Sequence, residues 1–178
     1  MQNLRNNKAF TLIELLIVIA VMAILTTVVF VALNPLERFQ DSRNSRRWSD
    51  INAIIGAIKL YQVDNGGALP GELSDENFLP DVYYEITEGA GLGDGSCASA
   101  DKCIAPNVEI EDCIDLEPLV TSGKLPKMPF DPNDANSTSE IITGYYVIMS
   151  GSNGALTIGS CYEEKGSKDS ISEISVTR

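Results

Sequence analysis

The run of 24 residues from Phe10 to Leu33 holds a single ionisable side chain, Glu14. As an α-helix it reaches about 36 Å at about 1.5 Å per residue, more than the roughly 30 Å hydrocarbon core of a bilayer. A chain with this stretch folds as a rod that leaves water, plus whatever the rod carries. An unpaired carboxylate one turn from the start of the rod would cost on the order of a few kcal/mol in lipid, so Glu14 requires a partner. The run contains no base, but a cut before Phe10 would create a free α-amine four residues ahead of Glu14, on the same helix face. In a side-by-side bundle the amine of one subunit could equally meet Glu14 of its neighbour. Any other register would strand both charges in apolar surroundings, so charge neutralisation would set the axial stagger.

A secretory signal peptide fits this pattern poorly. Its apolar region is typically about 7 to 15 residues and is followed by a small-residue cleavage site, whereas here the small residue, Ala9, precedes the apolar run. An ordinary single-span anchor has no use for Glu14.

The short leader Met1 to Ala9, with Arg5 and Lys8, followed by Phe10-Thr11-Leu12-Ile13-Glu14-Leu15-Leu16-Ile17-Val18-Ile19-Ala20, resembles the type IV pilin and type II secretion pseudopilin superfamily. The resemblance implies that a membrane prepilin peptidase cuts between Ala9 and Phe10 and methylates the new amine, and that Glu14 is needed for assembly. The family usually has Gly where this chain has Ala9. The helix end around Asp50-Ile51, Ala57-Ile58, Tyr61, Asp64-Asn65-Gly66 and Pro70 resembles major pseudopilins and many pilins, so the likeness covers roughly the first 70 residues before fading into a variable loop.

Charge divides the chain sharply. Residues 36 to 65 carry five basic and four acidic side chains, and from Gly66 onward twenty acidic face six basic, a net of −14. Such a head repels a nucleic-acid backbone, so no direct nucleic-acid binding is expected. There is no His, the usual metal ligand and general base at neutral pH. With no nucleophile-base motif and no phosphate-cradling loop either, an enzyme is not expected. Cys97, Cys103, Cys113 and Cys161 all lie in the head. An even number in an exported domain reads as two disulfides, with three connectivities open. The expected pairing joins Cys97 to Cys103, closing a small Gly/Ser-rich loop, and Cys113 to Cys161, tying the C-terminal strand to the middle of the domain.

In chain order, 1–9 is the leader, 10–65 the N-terminal helix and 66–178 the head. Within the helix, 10–33 is the transmembrane and assembly segment and 36–64 is amphipathic. Pro35 removes a helix hydrogen bond, which predicts a kink near Leu33. Many type IV pilins have a proline in this neighbourhood, usually a few residues earlier, and major pseudopilins often lack one. Trp48, Ile51, Ile54, Ile55, Ile58 and Tyr61 recur at three and four residues and form one stripe to seat the head. Arg38, Arg43, Arg46 and Arg47, interspersed with Asp41 and Asp50, are read as partners for acidic heads of neighbouring subunits. Gly66 suits the helix end. Residues 71 to 112 read as a loop with one or two short strands, and Asp115 as the cap of a short helix stopped by Gly123. Gly144–Met149 and Ala155–Cys161 read as a hairpin, and the tail as an edge strand or disordered. Asp131, Asn133 and Asp134 place oxygen ligands in one loop, a candidate calcium site that major pseudopilins occupy in the corresponding loop.

The expected fold is therefore α+β, type IV pilin-like: a long N-terminal helix whose second half packs on a small antiparallel β-sheet. The expected function is a structural, major-pilin-like subunit of a type IV pilus-like filament, with a major pseudopilin of a type II secretion system as the alternative; motility, adhesion, secretion and DNA uptake all stay open as the use of the filament. Its expected partners are copies of itself, the prepilin peptidase, the assembly machinery and the membrane, and no cofactor is required. Before assembly it would sit single-pass in the cytoplasmic membrane with its head outside the cytoplasm, and afterwards in an extracellular or periplasmic filament.

Overall fold

The structure is a computed structural model that describes residues 10–89, 112–133, 142–168 and 173–178. Two helices form the rod, α1 (Leu12–Leu33) and α2 (Pro35–Asp64). Between them Asn34 takes a left-handed conformation, φ 38° and ψ 73°, and Pro35 occupies the first turn of α2. Proline has no N–H to return to the last turn of α1 but is at home at a helix start, so the rod bends there and resumes. At the far end Gly67 donates its N–H to the carbonyl of Gln62 at 2.7 Å. Gly66, at φ 64°, supplies the left-handed turn that closes the helix.

The head is a five-stranded sheet of β1 (Tyr84–Thr87), β2 (Asp112–Asp115), β3 (Ile142–Met149), β4 (Leu156–Ser160) and β5 (Ser175–Thr177), with α3 (Glu117–Thr121) between β2 and β3. The order is β2-β1-β3-β4-β5. Pairing is antiparallel throughout except between β1 and β2, which run parallel. Side chains alternate across the sheet. Tyr145 and Val147 of β3 face α2, while Tyr146 lies on the opposite face with Cys161. There the Tyr146 ring lies over Gly159, where any side chain would collide with it.

Helix α2 contributes Ile51, Ile54, Ile55 and Ile58 to the core, against Tyr84, Ile86, Ile114, Tyr145, Val147, Leu156, Ile158 and Ile174. Burying one such aliphatic side chain is worth about 1.5–3 kcal/mol, so four from one helix rival the whole net stability of a domain, about 5–15 kcal/mol. α2 is thus part of the head's core. By contrast, no residue of α1 is buried.

Several expectations change in detail. The apolar stripe does not include Trp48, which is 40% exposed; Arg47, fully buried, holds that position. Asp115 sits at the end of β2 and caps α3 from there, its Oδ1 accepting from Glu117 N at 2.8 Å. The tail forms an edge strand, with Ile174 buried beside it.

The expected disulfide between Cys113 and Cys161 is corrected. Both residues are disulfide-bonded, but Cys113 pairs across to Glu85, Glu85 to Tyr146 and Tyr146 to Gly159. Cys161, beyond β4, donates its N–H to the carbonyl of Gly144. Three strand spacings of about 4.8 Å put the two cysteines about 14 Å or more apart, and a disulfide needs Cα atoms within about 7 Å. Cys97 and Cys103, and with them the pairing expected between these two, lie outside the described residues. Non-reducing peptide mapping is expected to join each of Cys113 and Cys161 to one of these two. A Cys113–Cys161 peptide would refute the strand order itself.

Candidate functional site

Two places on the rod carry chemistry. The first is its start. Thr11 is the N-cap of α1, with extended backbone. Its Oγ1 accepts from Glu14 N at 3.3 Å, while its own N–H and hydroxyl both donate to Glu14 Oε2, at 2.8 and 2.9 Å. This is a capping box, and its Thr-x-x-Glu signature was legible in the sequence but missed. The second carboxylate oxygen, Oε1, receives no donor from the described residues. Glu14 thus has one oxygen held by its own chain and one left for an incoming cation. Phe10, whose amine would be freed by processing, lies 88% exposed just ahead of this turn; Ala9 and the rest of the leader lie outside the described residues. Further along, Thr26 and Thr27 donate their hydroxyls to the carbonyls of Met22 and Ala23 at 2.8 and 2.9 Å. Both threonine hydroxyls are therefore satisfied within the rod, as polar groups in lipid must be.

The second place is a polar latch on the first half of α2. The guanidinium of Arg47 donates to Asp131 through Nε (2.7 Å) and Nη2 (2.9 Å), and through Nη1 to Asn44 Oδ1 (2.8 Å) and Glu164 Oε2 (3.0 Å). Both Arg47 and Asp131 side chains are wholly buried. Arg43 grips Glu164 in a second forked pair. Asn44 exchanges hydrogen bonds with the Glu164 backbone, and Gln40 and Asp41 accept from Gly166 N and Ser167 N. Burial works against the charge on Arg47, but Asp131 and Glu164 outweigh it and its pKa is raised. The hydrogen bond from Arg43, helped by that from Arg47, holds Glu164 below the ordinary carboxylate range.

This network corrects one expectation and bears on another. Arg43 and Arg47 are not reserved for neighbouring subunits, because Glu164 and Asp131 of the same chain consume them; only Arg38 and Arg46 face outward. Of the calcium candidates, Asp131 is committed to the latch. Both oxygens of Asp131 are taken by Arg47, whose charge would repel a dication; Asn133 donates its N–H to Asp131; Asp134 lies outside the described residues. Among the described residues no three acidic or sulfur ligands gather around a metal position.

Beside the latch lies a buried acid. Glu163 is 3% exposed. Its Oε1 accepts from Ile174 N at 2.9 Å, and its Oε2 finds no partner among the described residues. Burial pushes its pKa up to about 7, against the pull of the Ile174 N–H and of Arg47. A carboxyl whose folded pKa is raised holds its proton longer in the folded state than in the unfolded one. Its contribution to stability is complete below about 4.5 and is lost as pH rises through about 7. Asp50, raised mainly by burial, adds to the same trend at lower pH. The head is therefore expected to unfold at lower urea at pH 8 than at pH 5.5, and Glu163→Gln to flatten that dependence. A midpoint that rises over this interval would show the sign to be wrong.

A long, bent N-terminal helix with a wholly exposed apolar first half, its second half built into a mostly antiparallel sheet, defines a pilin-like α+β protein. Residues 4–30 match the family model of the prokaryotic N-terminal methylation motif, the class III signal peptide of type IV pilins and pseudopilins. No curated protein and no solved structure matches the chain. The motif implies cleavage by a prepilin peptidase and assembly into a filament with its machinery. In agreement with it, Leu12–Asp64 includes a stretch long and apolar enough to cross a membrane.

Proposed function

We propose that this chain is the structural subunit, major-pilin-like, of a type IV pilus-like filament, and that its role is mechanical rather than enzymatic. One observation carries the reading: α1 exposes every one of its side chains, and the sole ionisable group on it, Glu14, keeps one oxygen open one turn from the amine that processing would free. An apolar surface of this extent has to be covered, first by lipid and then by the rods of other copies. The subunit waits in the cytoplasmic membrane with its head outside. Extraction exchanges lipid contacts for helix contacts, Glu14 is neutralised by the Phe10 amine of a neighbour, and the acidic heads coat the exterior. The break at Asn34-Pro35 and the disulfide-bonded head favour a surface pilus over a secretion pseudopilus. Electron microscopy of surface filaments, with mass spectrometry of their first peptide, tests this directly. The expected peptide begins at an N-methylated Phe10, and filaments lacking this chain, or a mature chain beginning at Met1, would refute the reading.

A further inference from the structure

Arg46 sits one residue from the latch but points the other way, about 100° round the helix, with its side chain 66% exposed. Its nearest acid is Asp50, with Nε to Oδ2 a loose 3.7 Å, and that carboxylate is already engaged by the Tyr145 hydroxyl at 2.8 Å. Together with Lys127, Met128, Pro129, Phe130, Asp131 and Pro132, Arg46 lines a notch of about 380 Å³. The rim is held rigidly. Met128 is fully buried and Asp131 is clamped by Arg47, and prolines at 126, 129 and 132 fix the backbone between and beside these anchors. Lys127 and Phe130 line the notch with Nζ 5.8 Å from the ring centroid, and Phe130 also packs against the core. Among the described residues the one acid on the wall, Asp131, is neutralised by Arg47. The notch therefore presents two cations and an aromatic ring on a head whose net charge is −14.

We propose that this notch is an inter-subunit socket that receives an exposed carboxylate from the head of a second copy of the chain. This rests on the filament reading above, because covering α1 brings the rods side by side, and the notch is lined by the exposed Arg46 of the same rod. Every neighbouring head supplies suitable acids: the side-chain carboxylates of Glu76, Glu88 and Glu117 are given no hydrogen bond or ion pair by the described residues. Opposite charges of this kind fix register and select partners more than they add affinity. The socket complements Glu14, which sets the stagger at the other end of the rod.

The test uses filaments assembled from a mixture of isotopically light and heavy full-length chains, treated with a zero-length carbodiimide. A Lys127–carboxylate link between light and heavy peptides is expected. The paired substitution Arg46→Glu, Lys127→Glu is expected to lower filament yield by about tenfold or more, while the head keeps its protease resistance and its Trp48 emission. A Lys127 that is unlinked or linked only within its own chain, or a reversed-charge variant that assembles like the parent, overturns the socket alone. A parent chain that forms no filament overturns the filament reading, and the socket with it.

Discussion

Arg47→Ala is expected to destabilise the head by about 3–5 kcal/mol, the cost of stranding one member of a buried ion pair. The substitution leaves the Asp131 carboxylate, itself 4% exposed, without its guanidinium. It also removes one of the two cations on Glu164, loosening the segment that Arg43, Asn44, Gln40 and Asp41 hold against α2. Against a domain stability of about 5–15 kcal/mol, this is a fifth of the total or more. Urea unfolding of the full-length protein in detergent, followed through the emission of Trp48, the single tryptophan, measures it one residue from the change. Asp131→Ala should cost a similar amount. The pair Arg47→Met, Asp131→Leu should cost much less than the sum of the single changes, because well-packed apolar replacements of buried ion pairs are often neutral and residues in contact are not additive. An Arg47→Ala loss of under about 1 kcal/mol would place the pair on the surface and refute the latch.

The latch also shows where reading the sequence stopped. The rod, its break at Pro35, its end at Gly66 and the β3–β4 hairpin were legible because each is written locally, in periodicity and in Gly and Pro placement. The partners of Arg47 lie 84 and 117 residues away, and nothing local points to them. A signal did exist: counting back from Ile51, Ile54, Ile55 and Ile58, the core stripe calls for an inward residue at 47, and an Arg there demands a buried acid. Trp48 was preferred for being apolar. The β1–β2 pair was lost for a similar reason, since the chain between them has no periodicity and a parallel partner cannot be read from a turn. Disulfide connectivity failed as a consequence, for only the strand order separates Cys113 from Cys161. The part of Asp131 in the latch stayed hidden because an acid in an Asp/Asn-rich loop looks the same whether it faces a cation outside or a guanidinium within.

Glu14→Leu is expected to leave the subunit processed and lodged in the membrane but to abolish filaments. The substitution makes residence in lipid cheaper, since it removes a carboxylate worth on the order of a few kcal/mol there, and at the same time deletes the only acid that a neighbour's amine could meet. Both effects oppose extraction. At 1.4 kcal/mol per tenfold, even about 3 kcal/mol per subunit lowers each addition step by about a hundredfold. Thr11→Ala separates the two roles of the carboxylate. It removes the N-cap, worth about 0.5–2 kcal/mol, and with it the hydroxyl donor to Oε2, while leaving Oε1 free for the neighbour. Filaments should therefore persist in reduced amount with Thr11→Ala and vanish with Glu14→Leu. Quantifying sheared filaments against membrane-retained subunit distinguishes these outcomes. Parental filament yield from Glu14→Leu would mean that the rods pack by shape alone and that charge sets no register.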